Sequence, residues 1–191
     1  MKLAILDYGA GNLRSVQNAL DEIGAEYQVV TELVPAEKII LPGVGHFGQM
    51  MRALAPQREA IIGAIRSGTP FLGICLGLQA LFECSEEAAD VTGFGLFPGN
   101  VKRFPLEVRC PQMGWNTLEG TKPSRLVTGE PYVYFANSYY CPVSDATAAT
   151  TTYSGITFTS VLEHGNIYGV QFHPEKSGPA GMDIVRRFVA C

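Results

Sequence analysis

The spacing of apolar residues changes along the chain, and the change separates helices from strands. From Leu13 onward, apolar residues fall at Leu13, Val16, Ala19, Leu20 and Ile23, one face of a helix, with Asn12 placed to cap its first turn and Gly24 to end it. Residues 50–66 keep a helical pattern that Pro56 should break or kink. Between these lie short apolar runs at residues 2–6, 27–30, 38–41 and 69–74, which read as strands. This alternation predicts an α/β fold, an open, mostly parallel central sheet flanked by helices. A further helix is expected to open over residues 78–83 and to carry Cys84.

Beyond it the pattern becomes one of short aromatic or branched runs, residues 93–99, 101–104, 114–118 and 132–140, separated by Gly and Pro. These predict added antiparallel strands and hairpins on one side of the sheet. Strands over residues 150–153, 156–163 and 167–172 and a closing helix over 182–189 complete the reading. Nothing marks an internal boundary or repeat, so residues 1–191 are expected to form a single domain.

Composition narrows the function classes. A chain with 47% hydrophobic and 17% charged residues can bury a sizeable core. Its net charge of −4 gives no electrostatic reason to bind nucleic acid. The opening apolar run is cut by Asp7 before it could serve as a signal peptide, and no later run has the length of a membrane span, so a cytoplasmic setting and no membrane partner are expected. Five cysteines, Cys75, Cys84, Cys110, Cys141 and Cys191, are an odd number without metal-ligand spacing, which argues for free thiols.

Three segments carry candidate chemistry. Cys75 falls between Gly73 and Gly77 at a strand-to-helix reversal, where a side chain can stand out of the sheet and the helix N-terminus would favour a thiolate and an oxyanion. Tyr168-Gly169-Val170-Gln171-Phe172 is an apolar strand ending in His173-Pro174-Glu175; in extended backbone His173 and Glu175 share a face, so the acid could orient the imidazole. Gly43-Val44-Gly45 leaves peptide groups sterically free to turn toward a ligand. Taken singly, each has a plain alternative: an inert buried cysteine, a surface histidine beside a solvated acid, a tight turn. Together they describe covalent acyl transfer by a cysteine hydrolase or acyltransferase.

Gly73-Ile74-Cys75-Leu76-Gly77-Leu78-Gln79 together with His173-Pro174-Glu175 resembles the triad-type (class I) glutamine amidotransferases, which free ammonia from glutamine and pass it to a synthase. The chain is similar over essentially its whole length to the glutaminase subunits of imidazole glycerol phosphate synthases. The likeness extends to Asp7-Tyr8-Gly9-Ala10-Gly11-Asn12-Leu13-Arg14-Ser15-Val16, Pro42-Gly43-Val44-Gly45-His46-Phe47, Met113-Gly114-Trp115-Asn116 and Lys176-Ser177. The resemblance implies Cys75 as nucleophile, His173 as base and Glu175 as its orienter. It further implies Gln79 and Glu87 as glutamine-holding residues and Val44, between Gly43 and Gly45, in an oxyanion loop. Arg14, Trp115 and Lys176 become candidates for docking on a (β/α)8-barrel cyclase subunit, whereas composition alone would leave the two cations solvated and the tryptophan in the core. In the family the products are imidazole glycerol phosphate and an aminoimidazole carboxamide nucleotide, and hydrolysis is controlled across the subunit interface; neither a cofactor nor a metal is implied. Gln112 and Asn137 depart from the histidines common in the family, which removes groups that titrate near neutral pH without touching the triad. A glutaminase subunit of pyridoxal phosphate synthesis and a non-catalytic partner-binding module are the competing readings.

Overall fold

The computed structural model describes residues 3–9 and 13–191. Strand β1 (Leu3–Leu6) is followed by helix α1 (Leu13–Glu22), β2 (Tyr27–Val30) and β3 (Lys38–Gly43). Helix α1 buries Val16, Ala19 and Leu20, the face that its spacing predicts, and Gly24 takes a φ of 68° just beyond its end. The Asn12 cap lies outside the described residues. Where one kinked helix is expected, α2 (Phe47–Leu54), a 3-10 turn (Ala55–Gln57) and α3 (Arg58–Arg66) follow one another. Pro56 supplies no amide hydrogen and so breaks the ladder there. Helix α2 begins ahead of residue 50 because the His46 ring accepts the Gly48 amide and caps its first turn.

Strand β4 (Phe71–Cys75) runs into α4 (Leu76–Gln79), a single turn, in place of the helix expected over residues 78–83. The backbone bonds that would extend this helix are made elsewhere. The carbonyls of Ala80, Leu81 and Phe82 accept amides of Phe94, Leu96 and Gly95, and the chain straightens into β5 (Phe82–Ser85). Cys84 is therefore a half-buried strand residue, not a helical one. The remaining elements are β6 (Phe97–Arg103), β7 (Gln112–Thr117), β8 (Glu119–Gly120), β9 (Tyr132–Asn137), β10 (Tyr139–Tyr140), β11 (Thr147–Tyr153), β12 (Ile156–His164), β13 (Ile167–Val170), a 3-10 turn (Pro174–Lys176) and α5 (Gly178–Ala190).

The central sheet has the order β2-β1-β3-β4-β13-β12-β11-β8. Its pairs from β2 to β13 are parallel and those from β13 to β8 antiparallel, which is the predicted mostly parallel sheet with an antiparallel extension. The other added strands do not join it: β6 lies between β5, parallel, and β10, antiparallel, while β7 and β9 form a two-stranded ribbon. Side chains along the central strands alternate between two cores. Ile40, Leu72 and Ile74 pack with Val16 and Leu20 of α1 and Phe188 of α5, whereas Ile39, Leu41 and Phe71 pack with Met50, Leu54 and Ile61 of α2 and α3.

Helix α4 lies hard against β3. A Cβ on Gly77 would stand 1.9 Å from the Leu41 carbonyl oxygen, and one on Gly73 would stand 2.4 Å from that of Gly77. Gly77→Ala should therefore lower the free energy of urea unfolding by about 1–3 kcal/mol or more, because the obstructing atoms are backbone. Gly63→Ala, exposed on α3 with open space at its Cβ, should raise it by roughly 0.5–1 kcal/mol. Equal unfolding midpoints for the two variants would show that the approach of α4 to β3 is not rigid.

Candidate active site

Cys75 closes β4 with φ 54° and ψ −106°, a left-handed conformation that a non-glycine residue adopts at a cost of about 1–3 kcal/mol. The reversal leaves it opposite Gly43 in the sheet register, with only a small part of the residue exposed. A row of buried amides reaches its sulfur: Gln171 Nε2 donates to Cys75 Sγ at 3.6 Å, while Gln79 Nε2 donates to Gln171 Oε1 and to the Tyr139 carbonyl, each at 3.1 Å. Gln171 is fully buried and escaped the sequence reading; the signal available was one polar residue inside an apolar strand.

His173 is extended, with φ −100° and ψ 96°, but Pro174–Lys176 is a 3-10 turn and not the continued extended segment expected. The amides of Lys176 and Ser177 close it onto the carbonyls of His173 and Pro174. This turn, rather than strand alternation, brings Glu175 Oε1 to 2.8 Å from His173 Nδ1, with both side chains almost wholly buried. The His173 backbone is pinned to β9: its amide donates to the Tyr134 carbonyl at 2.9 Å, the Ser177 hydroxyl donates to the His173 carbonyl at 2.6 Å, and the Tyr134 amide donates to Ser177 Oγ at 2.9 Å. Burial works against a charge on the imidazole. The hydrogen bonds and charges of Cys75 and Glu175 outweigh it, and the His173 pKa is pushed up to about 10.

A cleft of about 290 Å³ opens over these groups, bounded by Gly43, Val44, Gly45, Cys75, Gln79, Glu87, Asn137, His173 and Lys176 among others. Glu87 Oε2 accepts the Phe47 amide at 2.7 Å, at the start of α2. Lys176 is exposed on the rim. Arg14 and Trp115 do not line the cleft. Arg14 is exposed on α1, and Trp115 is 46% exposed and stacks on Tyr132, so it is a surface residue rather than a core one. Gln112 and Asn137 are buried and face each other across the β7–β9 ribbon. A thiol opposed to an imidazole that is itself held by a carboxylate, beside a loop that carries Gly43 and Gly45, is suited to attack on a carbonyl carbon and to protonation of the group that leaves.

Comparison with known proteins decides among the enzymes that could use such chemistry. The profile of the family described as "Glutamine amidotransferase class-I" matches residues 4–191. The chain belongs to this family. It is 48% identical to the imidazole glycerol phosphate synthase subunit HisH of Methanothermobacter thermautotrophicus, over 98% of this chain and 97% of that one. With the protein of the same name from Methanocaldococcus jannaschii it shares 44% identity over 98% of both. Among solved structures, one described as a glutamine amidotransferase superposes with a TM-score of 0.78 over 98% of this chain and 97% of that chain; at 17% identity it supports the fold alone.

The raised His173 pKa has a consequence for stability. The native chain holds a proton that the unfolded chain releases near pH 6.5, so the contribution is fully present below that pH and is lost as pH rises through about 10. The difference in unfolding free energy between the wild-type amidotransferase and His173→Ala should therefore narrow between pH 6.5 and pH 10. Urea unfolding at a series of pH values measures it, and a constant difference would show that native His173 is not protonated at neutral pH.

Proposed function

We propose that the chain is the glutaminase subunit of an imidazole glycerol phosphate synthase in histidine biosynthesis, with residues 1–191 acting as one cytoplasmic amidotransferase domain. The single observation that carries the mechanism is the Cys75 elbow opposed to a buried His173–Glu175 pair, in a chain whose relatives bear that name.

As His173 takes the thiol proton, Cys75 Sγ attacks the side-chain carbonyl carbon of glutamine, and the carbonyl electrons collect on an oxyanion. The Val44 amide, on the cleft wall, is the donor assigned to it. The carbon–nitrogen bond then breaks as His173 delivers a proton to the nitrogen, leaving ammonia and a Cys75 thioester. Water, deprotonated by His173, attacks the thioester carbonyl and releases glutamate and the thiol. Glu175 holds the imidazole in the required tautomer throughout. Gln79 and Glu87 hold glutamine, and Arg14, Trp115 and Lys176 belong to the surface that docks on a (β/α)8-barrel cyclase subunit, which takes the ammonia.

Two measurements test this reading. Cys75→Ala should reduce glutamate release by the complex at least roughly a thousandfold with the fold and partner binding kept; His173→Ala should be nearly as damaging and Glu175→Gln milder. Cys84→Ala should retain most activity, and normal release by the Cys75 variant would refute the assignment. Reversing the charge at Lys176 should weaken binding or ammonia coupling more than it alters the isolated chain's stability. Unchanged calorimetric affinity together with unchanged coupled turnover would remove Lys176 from the interface.

A further inference from the structure

Tyr8 leaves the end of β1 and reaches the loop that follows β3. Its hydroxyl donates to the Val44 carbonyl at 2.9 Å and accepts the Val44 amide at 3.1 Å. One phenol thus engages both hydrogen-bonding groups of a single residue, as a facing residue does in an antiparallel strand pair. The bridge needs the hydroxyl to keep its proton. Burial, set against the bond to Val44, pushes the Tyr8 phenol up to about 12, so the proton stays.

The position of this bridge matters because of what it occupies. Gly43 pairs with Cys75 across β3 and β4, so the Gly43–Val44 peptide lies on the cleft wall beside the nucleophile, and Gly45 at φ 104° lets the loop turn immediately after it. An amide hydrogen directed at the Tyr8 oxygen is not available to an oxyanion on the substrate. We propose that Tyr8 is a latch on the oxyanion loop, a positioning residue whose two bonds to Val44 hold that residue's amide away from the oxyanion at rest and must be released for glutamine hydrolysis. The proposal rests on the glutaminase reading above. It adds a named restraint to the loop.

The test uses the whole chain with and without the cyclase subunit. Tyr8→Phe keeps the ring and removes the bridging oxygen. The Val44 amide, followed by hydrogen exchange in NMR spectra, should be protected in the wild type and should exchange at least roughly tenfold faster in the variant. Glutamate release by the isolated variant should rise about five- to thirtyfold in kcat with KM little changed, as expected when one or two net hydrogen bonds no longer favour the resting arrangement. The ratio of complexed to isolated turnover should fall correspondingly. A Val44 amide unprotected in the wild type would overturn the proposal whatever the variant does, as would protection unchanged by Tyr8→Phe. Faster exchange with kcat unchanged or lowered would also overturn it, because the bridge would then not restrain hydrolysis. If wild-type chain and cyclase subunit together released no glutamate, the glutaminase reading itself would fall and the latch with it, a result distinct from the others.

Discussion

The close approach of α4 to β3 governs the geometry of the site. With Gly77 seated on the Leu41 carbonyl and Gly73 on that of Gly77, the chain leaving β4 has no room for an ordinary strand end. Cys75 absorbs the reversal in a left-handed conformation that would relax if the surroundings allowed it. They do not, because every residue of β3 and β4 is buried and both faces of these strands are packed by helices. The same approach pairs Gly43 with Cys75 and so sets the Gly43-Val44-Gly45 loop at the cleft wall beside the sulfur. Cys75 and the start of the neighbouring loop are thus placed by backbone contact, before any polar side chain is considered.

The imidazole arrives by a separate route that ends at the same height. Parallel pairing of β13 with β4 places Val170 opposite Ile74, so Gln171 and His173 leave the sheet next to Cys75. The His173 turn is then held from two sides. Tyr134 and Ser177 bind it to β9, and on the other side α5 comes so close that a Cβ on Gly181 would lie 1.9 Å from the Pro174 carbonyl oxygen. Cys75 is therefore anchored by the central sheet, and His173 with Glu175 by the β9 ribbon and α5. The loop after β3 is different in kind, since a single phenolic oxygen bridges its Val44.

This division explains which parts of the molecule were legible in the sequence. The helix α1, the four parallel strands up to β4 and the elbow at Cys75 follow from local periodicity and from glycine spacing, which act within a few residues. Helix α4 ends sooner than local pattern suggests because the carbonyls just beyond it are taken by amides of residues 94–96, a partner no local pattern reveals. Strands β6, β7, β9 and β10 stand apart from the central sheet that local pattern assigns them to for a similar reason, since strand character does not specify which edge a strand joins. His173 and Glu175 do meet, through a 3-10 turn and not through the extended backbone that their spacing suggests. Gln171 and Tyr8 reach partners 96 and 36 residues away, and neither has a chemical identity that stands out among ordinary buried amides and aromatics.

The loop after β3 is also tied at its far end. Glu87 accepts the Phe47 amide at the first residue of α2, three residues beyond Val44, and its carboxylate borders the cleft. A cationic group such as an α-ammonium drawn to Glu87 must share that carboxylate with Phe47, so occupancy of the cleft and the position of the loop's end draw on the same acceptor. By linkage, whatever free energy the bound group adds to or removes from that contact, the loop returns to the binding of the group. Cys75, His173 and Glu175, held by the central sheet, β9 and α5, give no such coupling, since their geometry is set before a ligand arrives. The responsive part of this site is therefore the short segment between Tyr8's hold on Val44 and Glu87's hold on Phe47, with Gly45 in between to let it move.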